Sequence, residues 1–247
     1  MNKPIYRHLA DQKWRQYERR ILMQRLETMH VVPDVLPSID PTVATSISFA
    51  HHGEMVKSRE SERPPALQIQ RYEKGEKLYT IAVINPDVPD VENDAFRSRA
   101  HFLACNIPLS PTNSTVNLRR LDVNKQVVIP WLPAYAQRGL PYQRMCVVVY
   151  EQPAAEKPRP GSNDVPPSVP LDVSLMKEQI DPERLDSRFL QSRHKLMPVG
   201  ADMWRTQWDE GTAGVMKRAG VIGWDVEFKP KRIEPLPYQR LKGSRYR

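Results

Sequence analysis

The chain has 247 residues, of which 40% are hydrophobic and 27% charged, with 24 prolines, 10 glycines and a net charge of +8. That length and apolar share fit one large domain or two small ones with a real core, and they argue against wholesale disorder. Its apolar runs, such as the one through Val147 to Tyr150, fall far short of the ~20 residues a membrane-spanning helix needs, and two cysteines inside apolar runs, Cys105 and Cys146, make no disulfide framework.

In chain order, residues 4–30 read as a helix, because Leu9, Trp14, Tyr17, Ile21, Leu22, Leu26 and Met29 recur at helical spacing with no glycine or proline after Pro4. Lys3, Arg7, Lys13, Arg15, Arg19, Arg20 and Arg25 give residues 1–30 a net charge of +4. Arg7 and Arg25 fall inside the apolar arc, which predicts a helix lying among several partners, some of them phosphates. Pro33 and Pro37 break the helix and open an extended spacer and loop over residues 31–65, whose stretch 50–65 is polar and ends in Pro64-Pro65.

From residue 66 the texture becomes strand-like, with short runs at Leu67–Ile69, Leu78–Ile84, His101–Ile107, Gln126–Ile129 and Met145–Tyr150, which predicts a sandwich-like sheet protein. A proline-rich insert follows over residues 153–170. Helices are expected over Asp181–Ser192, with Pro182 in its first turn, and over Met203–Ala219, where Trp204 and Trp208 would share one buried face. The extension from residue 226 carries Pro230, Pro235 and Pro237 and forms no regular element. Residues 229–247 bring Lys229, Lys231, Arg232, Arg240, Lys242, Arg245 and Arg247 against a lone Glu234, for +6, so the body between the two ends carries −2.

Chemistry-bearing signatures are sparse. Phosphate-cradling glycine loops, CxxC pairs, HExxH and GxSxG are all missing. His51-His52-Gly53-Glu54 lacks the spacing of a zinc site, so no metal is expected. Basic ends on a near-neutral body point to arms laid over a polyanion, most commonly RNA, with Tyr238 and Tyr246 as stacking faces in the C-terminal extension; solvated tails are the plain alternative.

One stretch carries a resemblance. Asn85-Pro86-Asp87-Val88-Pro89, followed by Arg97-Ser98-Arg99-Ala100-His101 opening an apolar strand, resembles the central signature of the phosphatidylethanolamine-binding protein (PEBP) family, where an Asp-Pro-Asp-x-Pro turn precedes a histidine. Gly139 to Met145, running into Val149-Tyr150-Glu151-Gln152, resembles its Gly-x-x-His-Arg-Tyr block. Phe189, Leu196, Pro198-Val199-Gly200 and Trp208-Asp209 look like its C-terminal region. The resemblance implies a mainly β fold with α (α+β), a large β-sheet packed on a smaller one with helices near the C-terminus, over residues 66–225. It also implies an anion pocket, which here departs from the family's pattern. His101 and Asp87 are kept, but Asn85 stands for the first aspartate, Gln143 for the second histidine and Arg99 for a tryptophan. A neutral amide supplies neither the charge nor the proton transfers of the group it replaces, so the pocket is expected to be degenerate, with His101 an internally hydrogen-bonded histidine.

Outside that domain the chain resembles one branch of the family, the fungal-type mitochondrial large-subunit ribosomal proteins with a PEBP-like domain. The features are the basic helix ending in Val31-Val32-Pro33-Asp34-Val35-Leu36-Pro37, the Val83 to Pro89 form of the turn, Ile107 to Pro111, and Pro141 to Met145. The resemblance implies a structural, non-enzymatic component of the mitochondrial ribosome in the matrix. Its partners would be large-subunit rRNA and neighbouring ribosomal proteins, with no cofactor, small-molecule substrate or transmembrane segment. Asp11, Glu18 and Glu27 interrupt the first 30 residues, so they do not match a clean transit peptide and an upstream presequence or an unusual import signal is expected. The rival readings are a soluble regulator binding phospholipid headgroups or phospho-ligands, an anion-processing enzyme, and a membrane-surface protein using the basic helix.

Overall fold

A computed structural model describes residues 3–155 and 167–229. Within them the strands are β1 (Ala44–Ile47), β2 (Ala66–Gln70), β3 (Lys77–Asp90), β4 (Ala95–Leu109), β5 (Thr115–Asn117), β6 (Val127–Ile129), β7 (Gln143–Glu151) and β8 (Met197–Thr206). The order β1-β2-β5 makes a small sheet and β6-β4-β3-β7-β8 a large one, with every neighbouring pair antiparallel. Successive side chains on a strand point to opposite faces. On β7, Met145, Val147 and Val149 therefore pack toward the small sheet, and Cys146, Val148 and Tyr150 toward the helices. Both faces are covered, which is why β7 reads as an unbroken apolar run.

The helices are α1 (Pro4–Lys13), α2 (Arg19–Thr28), α3 (Val31–Asp34), α4 (Val173–Gln179), α5 (Ser187–His194) and α6 (Thr212–Arg218). Leu22 and Leu26 of α2, Met176 of α4 and Leu190 of α5 share one core with Ala82, Ile84 and Val148 of the large sheet. The expected architecture of a large sheet on a small one, with helices, is what forms, and the N-terminal helix is part of its outer layer.

That N-terminal helix is continuous but contains a π-turn at Trp14–Glu18 between α1 and α2. Trp14 and Leu22 are eight residues apart, a spacing that overshoots two α-turns by about 80°; the wider π-turn absorbs the excess, and both residues end up buried. The buried stripe is narrower than the apolar arc of the sequence. Leu9, Tyr17 and Ile21 are exposed, and α1 buries no residue.

Several local expectations yield to long-range packing. The stretch Asn85–Pro89 is not a turn but lies within β3, across a register shift between Asn85 and Val88 where Pro86 has no N–H for the ladder. The helix expected over Met203–Ala219 is replaced by the end of β8, a loop, and α6. β8 pairs with β7 from Gln143↔Thr206 to Glu151↔Met197, and this pairing decides its conformation over local propensity. Trp204 accordingly packs edge-on against Phe49 in the inter-sheet core, centroids 5.3 Å apart, while Trp208 sits in the loop, partly exposed. The helix expected over Asp181–Ser192 divides into a 3-10 turn at Pro182–Arg184 and α5, each capped by an aspartate side chain, Asp181 and Asp186. Residues 31–65, read as extended spacer and loop, supply Val31, Val35, Leu36, Val43 and Val56 to the two cores and provide β1. No described helix is long and apolar enough to cross a membrane.

Candidate functional site

The five pocket residues are brought together at one end of the large sheet, and each makes a hydrogen bond to a partner from within the chain. The bulge in β3 turns Asn85 inward, where its Nδ2 donates to Gln143 Oε1 of β7 at 2.8 Å and its Oδ1 accepts from the Asp87 backbone N–H at 3.0 Å. A pair of amides thus stands where the family's charged groups would face each other. Asp87 is taken up by Arg144, whose backbone N–H, Nε and Nη2 reach its carboxylate at 2.8, 2.9 and 2.6 Å.

His101 lies within β4, 1% exposed. Its Nδ1 sits 3.0 Å from the Leu132 carbonyl, an arrangement in which Nδ1 carries the proton and donates, while Nε2 has no hydrogen-bond partner. Burial pushes its pKa down to about 4, so the ring is neutral at physiological pH. Arg99 is the residue that the resemblance sets in a tryptophan's place. It holds Glu183 with Nε at 2.9 Å and Nη2 at 2.6 Å, and it also donates to the Tyr135 hydroxyl. Arg97 adds a bond of 3.1 Å to the same carboxylate. A cleft of about 490 Å³ remains, lined among others by Arg97, Arg99, Tyr135, Gln143, Glu183 and Phe228. Glu183 is engaged by both arginines, and His101 is buried in the neutral form.

Arg144 is the functional residue that sequence reasoning passes over. Its Nη1 donates to the Met29 and His30 carbonyls and to Asp34 Oδ2, at 2.8, 2.9 and 2.9 Å. One guanidinium thereby ties Asp87 to the last turn of the N-terminal helix, and although burial lowers its pKa, Asp87 and Asp34 raise it. The only sequence signal was its place directly after Gln143 in the Gly139–Met145 block. The His51-His52 pair is also put to use inside the fold. His52 Nδ1 lies 2.7 Å from Asp202 Oδ1, a carboxylate 1% exposed on β8, and this hydrogen bond raises the His52 pKa. His51 N–H donates to Glu54 instead. Among the described residues no cluster of three or more His, Cys, Asp or Glu is placed to hold a metal.

The flanking cations are mostly directed outward. Lys3, Lys13, Arg15, Arg20 and Arg25 are exposed, whereas Arg7 and Arg19 are half-buried. Arg15 pairs with Asp11 at 2.7 Å and Arg19 with Asp40. Lys229 is exposed, 3.5 Å from Glu227. Lys231, Arg232, Tyr238, Arg240, Lys242, Arg245, Tyr246 and Arg247 lie outside the described residues.

Comparison with known proteins adds three findings. The sequence profile of the phosphatidylethanolamine-binding protein family matches residues 40–188, more than half of the chain. The large ribosomal subunit protein mL38 of Schizosaccharomyces pombe is 23% identical over 242 residues, in an alignment covering 95% of this chain and 71% of that protein. Two solved structures share the fold. One is the carboxypeptidase Y inhibitor in complex with its cognate proteinase, with a TM-score of 0.55 at 12% identity, covering 77% of this chain and 96% of the inhibitor. The other is the phosphatidylethanolamine-binding protein of Plasmodium vivax, with a TM-score of 0.52 at 15% identity, covering 75% and 97% respectively.

Proposed function

We propose that this chain, which belongs to the phosphatidylethanolamine-binding protein family, serves as a structural, non-enzymatic constituent of the mitochondrial large ribosomal subunit. The observation that carries this reading is the reach of its similarity to mL38. At 95% of the chain, it extends beyond the family-matched residues 40–188 into the N-terminal helix and the C-terminal part. Those are the regions that hold the excess positive charge.

The site geometry supports the same reading. An anion pocket at work needs a free charge or a proton donor facing the ligand, and here Asp87 serves Arg144, Glu183 serves Arg97 and Arg99, and Asn85 serves Gln143. The fold has become scaffold around its former site. The cations of the N-terminal helix, Lys3, Arg7, Lys13, Arg15, Arg19, Arg20 and Arg25, and those from Lys229 onward lie along rRNA, and the domain body meets neighbouring ribosomal proteins in the matrix. Each lysine or arginine that neutralises a phosphate releases counterions, so binding weakens with salt by a slope of about −0.7 to −0.9 per contact. The test is to capture a tagged copy from mitochondrial lysate and sequence the RNA that accompanies it. Strong enrichment of large-subunit rRNA, lost at high salt, is expected; recovery of the protein with no rRNA enrichment contradicts the proposal.

A further inference from the structure

We infer that the rim formed by the loop 137–142 and the segment from Trp208 to Lys229 is a docking surface for unpaired RNA, with Tyr142, Trp208 and Trp224 as its stacking platforms; this rests on the ribosomal reading and specifies a contact which that reading leaves open. Trp14 and Trp204 are buried, as large aromatics ordinarily are in a core. Tyr142, Trp208 and Trp224 instead keep 41%, 36% and 44% of their surface in solvent. Each has a cation above its ring. Arg205 Cζ lies 5.1 Å from the Tyr142 centroid, Arg138 Cζ 5.1 Å from that of Trp208, and Lys217 Nζ 5.4 Å from that of Trp224.

The three pairs form one surface because the loop and the segment are bonded to each other. Gln137 Nε2 donates to the Gly223 carbonyl at 3.0 Å, next to Trp224, and the Phe228 N–H donates to the Arg138 carbonyl at 2.8 Å. Gly139 has a φ of +88°, and a Cβ there would collide with the Phe228 backbone, so the approach of the two strands of chain depends on glycine. Of the carboxylates on this segment, Glu227 is engaged by Arg138 at 3.4 Å and Lys229 at 3.5 Å and Asp209 by Ser58, Gly211 and Thr212, while Glu210 and Asp225 are exposed. Ile222, 94% exposed, adds apolar area to the same segment.

This combination selects the ligand's chemistry. A duplex presents phosphates and hides its bases, leaving the rings unused. Unpaired nucleotides present phosphates to Arg138, Lys217, Arg205 and Lys229 and lay base faces on aromatic rings or guanidinium planes. The surface is also continuous with the basic extension, which begins at Lys229.

The test is titration of the full chain with a short oligouridine at low salt, read by tryptophan fluorescence, beside Trp208→Ala, Trp224→Ala and Trp224→Phe. Quenching is expected, with affinity about tenfold weaker for either alanine variant and largely retained by the phenylalanine variant, since stacking needs only a flat face. Melting temperatures should fall by only the few degrees that trimming a half-buried ring costs, leaving the variants folded at the titration temperature. Lys217→Ala should make the salt slope shallower by about one contact. Alanine variants that bind oligouridine as the parent chain does would overturn the assignment, even where deleting residues 230–247 abolishes binding; that pair of results leaves the ribosomal reading standing. Quenching by phosphatidylserine vesicles and not by oligouridine overturns it in favour of a membrane surface. Loss of rRNA enrichment in the capture experiment together with no oligouridine binding removes the inference and the reading beneath it.

Discussion

Tyr142 and Gln143 are adjacent in the chain, yet the first leans out under the Arg205 guanidinium with 41% of its surface in solvent, while the second is buried with its amide closed on Asn85 at 2.8 Å. The same contrast separates the two regions they belong to. Around Asn85, Asp87 and Gln143 the polar groups are turned inward and answered from within the protein, and His101 is buried with its Nδ1 on the Leu132 carbonyl. Along the rim and the N-terminal helix, cations and aromatic rings are turned outward. Under the proposed ribosomal role the contacts lie at the periphery, and the interior contributes through stability. The interior is expected to respond to mutation and pH as a core does, and to added small ligands hardly at all.

The largest effect is expected at Arg144. Arg144→Ala strips Asp87 of its partner and frees the Met29 and His30 carbonyls, so stability should fall by about 3 kcal/mol, measured by chemical denaturation. Arg144→Lys should recover only part of it, because an ammonium cannot serve the carboxylate bidentately while reaching the helix end. A loss below about 0.5 kcal/mol, the level of an ordinary surface change, would show that the Asp87–helix tie does not hold the interior together.

His101 comes next. Its imidazole titrates near 6.5 in the unfolded chain and near 4 in the fold, so between those values the unfolded state binds more protons. Stability must then fall as the pH drops through that window, by up to about 3 kcal/mol. His101→Phe should flatten this part of the pH profile, and a profile that stays equally steep would place the acid sensitivity elsewhere.

His52 sharpens the comparison from the edge of the interior. Asp202→Asn replaces the carboxylate that raises its pKa with a neutral amide, so the His52 titration followed by proton NMR should move downward. An unmoved titration would mean that the carboxylate does not hold the ring. The smallest expected effect is none. Calorimetry with phosphorylethanolamine should register no binding at millimolar concentration, whereas heat that vanishes in His101→Ala would show that the interior still works as an anion site.

Legibility in the sequence followed the same division. The runs Leu78–Ile84 and Met145–Tyr150 were readable because both faces of the large sheet are covered and the strands are apolar throughout. β8 was not, since Pro198, Gly200, Asp202 and Trp204 carry no strand pattern and only the ladder to β7 fixes it. The π-turn at Trp14–Glu18 was equally hidden, because apolar spacing alone does not show which residues of a broad arc will be buried. The pocket residues were found by resemblance. The partners that neutralise them were not, because Asp87 and the Met29 carbonyl lie 57 and 115 positions from Arg144. Trp208, four residues after Trp204, shares no helix face with it, because β8 runs to Thr206 and Trp208 lies in the loop beyond.

The central claim, that this family member works as a part of the large mitochondrial subunit, is tested most directly by sedimenting a tagged full-length copy through a sucrose gradient of mitochondrial lysate at low salt. The account predicts that the protein travels with the large subunit and leaves it only at high salt or when the particle is dismantled. Finding most of it free at the top of the low-salt gradient would contradict the account.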